Sequence, residues 1–152
     1  MKYVRDIVGT VAVAAAFWAL MMYGQSELLA DKVVPVAGTK LPEWLENFQR
    51  LSTGGISGSL ASGLAWYALG ERGLKFNSWN KNFRPIWIGL LLVPVVLSGI
   101  NWWFTKPANE GSNWAHVFYF LNNCLTFYLG TVLFSPPSVM YTPPGAEYVR
   151  RW

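Results

Sequence analysis

One cysteine, one histidine and two aspartates are all that the chain holds of several residue types on which protein chemistry most often depends. Cys124 alone excludes an intramolecular disulfide, a Cys-x-x-Cys redox pair and a multi-cysteine zinc site. His116 alone excludes bis-histidine haem and any His-rich metal cluster. Asp6 and Asp31 flank the first apolar stretch, and no Ser-His-Asp set suggests itself. Charge is scarce as well: charged residues make up 13%, about half the share usual in a soluble domain. The formal charge of +4 comes from basic residues spread along the chain without a run, which gives no footing for nucleic acid. The sequence therefore reads as a protein without a catalytic centre.

Apolar surface is present in quantity. Hydrophobic residues reach 53%, with nine tryptophans in 152 residues. This composition predicts an all-α membrane protein formed by one integral domain over residues 1–152. Three stretches are long and uncharged enough to cross a hydrocarbon core of about 30 Å: residues 7–24, 85–104 and 114–134. The first has a basic flank in Lys2 and Arg5 but a poor cleavage signal in Gly24-Gln25-Ser26, so it reads as an uncleaved anchor. Pro85 suits a first helical position, and Pro94 in mid-span predicts a kink.

The stretch 51–70, LSTGGISGSLASGLAWYALG, is ambiguous by composition because its glycines weaken a helix in water. Charge placement decides in favour of a fourth span. With it, Lys2, Arg5, Arg72, Lys75, Lys81, Arg84, Arg150 and Arg151 fall on one side, and Lys32, Lys40, Arg50 and Lys106 on the other. Such a bias marks cytoplasmic segments and places both termini in the cytoplasm, most simply of a bacterial inner membrane. In that setting Gly54, Gly58 and Ser62, and likewise Gly55, Ser59 and Gly63, form two small-xxx-small stripes that let helix backbones approach closely. Asn122 and Asn123, near mid-membrane, are expected to hydrogen-bond between helices, since an unpaired amide in hydrocarbon costs several kcal/mol.

Outside the spans, LPEWLENFQRL predicts a short amphipathic helix on the outer surface, with Trp44 and Phe48 facing the membrane or a partner and Gly54-Gly55 as a flexible join. Trp79 in the basic inner loop, and Trp102 and Trp103 at the end of the third span, are expected to face lipid or partner. The tail 135–152, with two Pro-Pro pairs, is expected to be extended and to dock on a partner through its end at Trp152. His116 is a candidate axial ligand for a haem or a chlorophyll-type pigment; the plainer role is a hydrogen bond at the interface. No other cofactor is expected, lipids apart.

The reading that follows is a non-catalytic structural subunit of a larger multi-subunit membrane complex, such as a secretion or conjugation machine or an energy-transducing supercomplex. The alternatives are a homo-oligomeric channel or polymer and a pigment- or haem-binding subunit using His116.

Overall fold

The computed structural model describes residues 2–36, 38–73, 83–136, 139 and 143–149. Every element among them is helical: α1 (Lys2–Ala19), a π-helical turn (Leu20–Gln25), α2 (Ser26–Ala30), α3 (Leu41–Gly73), α4 (Arg84–Phe104), a 3₁₀ turn (Glu110–Ser112), α5 (Asn113–Leu133) and α6 (Ala146–Val149). The chain runs down and up through four long helices. Gly9 of α1 meets Phe134 beyond the end of α5, so these helices are antiparallel. Ser62 meets Leu90 while Gly55 meets Asn101, so α3 and α4 are antiparallel as well. Both described ends of the chain therefore lie at one end of the bundle.

The helices α3 and α5 form a central pair, and α1 and α4 each pack against both of its members. Polarity follows this arrangement. Ser52, Ser59, Ser62, Asn122, Asn123, Thr126 and Thr131, all on α3 or α5, are buried. On α4 the large side chains Ile88, Leu92, Val96 and Ile100 recur every fourth residue on an exposed face, as do Val4, Val8 and Val11 at helical spacing on α1. A water-soluble bundle has the opposite pattern. Two helices, Val4–Ala30 and Arg84–Phe104, are long and apolar enough to cross a membrane. They include the two flanking helices, whose outer faces are exposed among the described residues.

Residues 41–51 are not a separate surface helix. They are the first turns of α3, which continues through Gly54 and Gly55 without a break to a length of about 50 Å at 1.5 Å per residue. Trp44 and Phe48 are fully buried, their rings stacked with centroids 6.3 Å apart, and Phe48 lies against Tyr119 of α5 at 5.2 Å. The apolar spacing read as a membrane-facing stripe is the stripe that packs on this chain's own α5. The described part of the tail also differs from an extended arm. Val139 is buried with Trp66, Trp87 and Phe127, and Tyr128 Oη donates to the Pro144 carbonyl at 2.6 Å. Gly145, with φ +85°, supplies the left-handed turn that leads into α6. Those residues dock on the bundle itself.

The opposite end is closed by two loops. Pro35 and Ala108 form an antiparallel bridge, Val36 N–H donates to the Pro107 carbonyl and Asn109 N–H to the Val34 carbonyl. Trp44 Nε1 donates to the Lys106 carbonyl at 2.8 Å, which ties the start of α3 to the same closure.

Candidate functional site

The polar atoms that sequence and fold bring together form a seam inside the bundle. It starts where α1 changes pitch. In the π-helical turn the Ser26 N–H bonds back five residues to the Met21 carbonyl, and the Ser26 hydroxyl donates to the same oxygen at 2.9 Å. Gln25 is thereby buried against α5. Its Nε2 donates to Asn122 Oδ1 at 2.9 Å, and Asn122 Nδ2 donates to Gln25 Oε1 at 2.7 Å. Gln49 Nε2 donates to Ser26 Oγ at 3.1 Å, so the π-helical turn and α2 are tied to α3 and α5 at one level. Asn122 is bonded between helices in this way; Gln25 was hidden from sequence reasoning because the apolar run stops at Gly24.

A second knot joins α3, α4 and α5. Asn123 Nδ2 donates to Ser98 Oγ at 3.1 Å, and the Ser98 hydroxyl donates to the Pro94 carbonyl at 2.7 Å. Asn123 and Asn101 both press on Gly55, where an added methyl group would overlap the Asn123 amide and stand 2.7 Å from Asn101 Nδ2. Gly55 lets the two amides lie on the helix backbone. Ser52 Oγ, Asn101 Nδ2, Asn123 Oδ1 and Thr126 Oγ1 are buried without a hydrogen-bond partner among the described residues. The signal for Ser98 and Asn101 was their i, i+3 spacing on α4, which sets two polar residues on one face of an apolar helix. Amides and hydroxyls of this kind donate and accept hydrogen bonds, but they do not take up a proton or form a thiolate or alkoxide near neutral pH. The seam suits binding and packing.

The small residues of α3 divide between neighbours. Gly58 lies under Leu97 of α4, Ser62 bonds to the Leu90 carbonyl of α4, and a methyl group added at Gly63 would stand 3.6 Å from Thr10 of α1. Thr10 also reaches Gly130 of α5, 3.1 Å from where a methyl group would stand. Ser59 is buried and donates to the Gly55 carbonyl at 2.8 Å. Gly54 alone of the two stripes has open space above it. With Ser57, Ala61 and Ala68 it forms an exposed strip of small residues on α3 at spacings of three, four and seven.

His116 is half-buried, its ring in tilted contact with Trp102 at 5.6 Å, and no group of acidic, Cys and His side chains able to hold a metal occurs among the described residues. Trp102 and Trp103 are exposed, Trp103 at 85%. Trp79 and Trp152 lie outside the described residues.

The chain matches no family model, no curated protein and no solved structure with which it was compared. Its function is argued from the geometry alone.

Proposed function

We propose that the protein is a four-span, non-catalytic subunit of a larger membrane assembly, most simply in a bacterial inner membrane, with both termini cytoplasmic. The membrane reading rests on the inverted polarity: uncharged polar side chains turned into the α3–α5 pair and rows of Val, Leu and Ile turned outward on α1 and α4. The central helices are less apolar than the flanking ones because protein shields them, and in a bundle they still cross with the others.

The observation that carries the assembly reading is the strip Gly54, Ser57, Ala61 and Ala68, exposed on α3. Small side chains give lipid tails little to pack against and allow another helix backbone to come close. The strip is complementary to a helix from another subunit, while Ser52, Ser59, Ser62 and Trp66 on other sides of α3 are buried within this chain.

The test uses Ala61→Leu and Ser57→Leu. Both enlarge exposed positions, so the bundle itself is expected to keep its helical signal and thermal stability. Co-purification of partners, at equal amounts in the membrane, is expected to fall sharply. A cysteine at Ala61, in a Cys124→Ser background, then identifies the neighbour: cross-linking to another chain supports a hetero-assembly, and to itself the homo-oligomer. Unchanged co-purification and no cross-link would overturn the proposal.

A further inference from the structure

At the end of the bundle that carries the two loops, a groove of about 310 Å³ opens between α2 and α5. Leu28, Leu29, Trp114 and Phe118 form its floor and walls, and Lys32 stands at its mouth. The volume is at the small end of the range in which ligand pockets fall. Four exposed aromatic residues, Trp102, Trp103, Phe104 and Trp114, lie at this same end of α4 and α5. Tryptophan prefers the level of the headgroups, so this collar sets the depth of the groove. In the membrane proposed above, Leu28 and Phe118 would face the outermost part of the hydrocarbon, with Lys32 among the headgroups.

The charges around the mouth are mixed. Lys32 is exposed and enters no ion pair among the described residues. Glu27 and Asp31, both exposed, occupy the adjacent stripe one helical turn apart, beside the Leu28–Lys32 stripe that lines the groove. A ligand with phosphate alone would meet one ammonium group and two carboxylates. A ligand with a phosphate and a primary ammonium satisfies both signs, with its glycerol and first methylenes on the apolar floor.

We infer that this groove binds one amine-bearing glycerophospholipid, with Lys32 on its phosphate, Glu27 and Asp31 on its ammonium, and an acyl chain against Leu28 and Phe118. The site rests on the membrane reading above.

The full chain is reconstituted in vesicles of equimolar phosphatidylethanolamine and phosphatidylglycerol, extracted in mild detergent, and its retained lipid is weighed by mass spectrometry. The wild type is expected to retain phosphatidylethanolamine in about threefold to fivefold preference, the ratio that exposed charge pairs can supply. Glu27→Gln combined with Asp31→Asn is expected to lose that preference, because the two carboxylates are what tells the ammonium headgroup from the glycerol one. Leu28→Trp fills the floor and leaves the charges in place, and is expected to lower the total lipid retained. Glu27, Leu28 and Asp31 are all exposed, so the helical signal serves as a check that the fold is kept. Retention in the input ratio by the wild type, or an undiminished preference in the Glu27→Gln, Asp31→Asn double variant, overturns the site. If alkaline carbonate releases the wild-type chain from membranes, the membrane reading fails and the site with it. A chain that resists carbonate but retains lipid in the input ratio disproves the lipid site alone.

Discussion

Ser62 of α3 donates its hydroxyl proton to the carbonyl of Leu90 in α4 at 2.8 Å. Leu90 lies four residues before Pro94, and a proline has no N–H to return to that carbonyl. The residue that breaks the ladder of α4 is thus answered by a hydroxyl from the neighbouring helix. The arrangement explains how an apolar helix carries a buried proline without leaving its backbone unsatisfied.

Ser62→Ala is expected to destabilise the bundle by about 1–3 kcal/mol, the usual cost of leaving a buried acceptor unpaired. Pro94→Ala restores an N–H for Leu90, so the same Ser62→Ala change in that background is expected to cost much less. Unfolding of the four variants in mixed micelles gives the coupling directly. Equal losses in both backgrounds would mean that the hydroxyl does not serve the carbonyl.

The Gln25–Asn122 amide pair makes a second prediction. Asn122→Leu strands the Gln25 amide in the interior, at a cost of about 1–3 kcal/mol. Replacing both residues by Leu removes both partners, and is expected to be less harmful than either single change. The same unfolding measurement orders the three variants.

Gly55 and Gly58 separate two kinds of close contact. A methyl group at Gly58 meets the end of the Leu97 side chain, which can move aside. At Gly55 it meets the amides of Asn123 and Asn101, and Asn123 is held by Ser98. Gly55→Ala is expected to cost about 1–3 kcal/mol by overpacking, and Gly58→Ala clearly less. A reversed order in thermal stability would show that the seam is looser than its packing indicates.

What could be read in advance follows from how local each signal is. The helices α1 and α4 each carry a long uncharged apolar run, so composition found them without knowledge of neighbours. Gly54-Gly55 read as a hinge because glycine lowers helix propensity, yet α3 runs straight through: Gly55 serves the approach of two asparagines from other helices, and that reason is tertiary. Trp44 and Phe48 have the spacing of an amphipathic surface helix, and spacing does not say what covers the stripe. The π-helical turn before Gln25 has no sequence mark. In the tail the prolines predicted extension, while Val139 is buried with Trp66, Trp87 and Phe127, a contact that proline spacing does not reveal. The exposed strip on α3 was missed because its members, Ser57, Ala61 and Ala68, become visible as a face only once the other sides of the helix are occupied.

Single-cysteine accessibility in intact cells measures the four proposed crossings most directly. In a Cys124→Ser background, cysteines replacing Lys40, Ser78, Glu110 and Glu147 are treated with an impermeant maleimide. Lys40 is exposed beyond the end of α2, and Glu110 sits in the loop bridged to the same segment. Ser78 falls between α3 and α4, outside the described residues, and Glu147 is exposed on α6 at the other end. Four spans with cytoplasmic termini predict labelling at positions 40 and 110 in intact cells, and at 78 and 147 only after permeabilisation. If the two flanking helices alone crossed, position 78 would react from outside and position 110 would be protected. That result would contradict the four-span bundle.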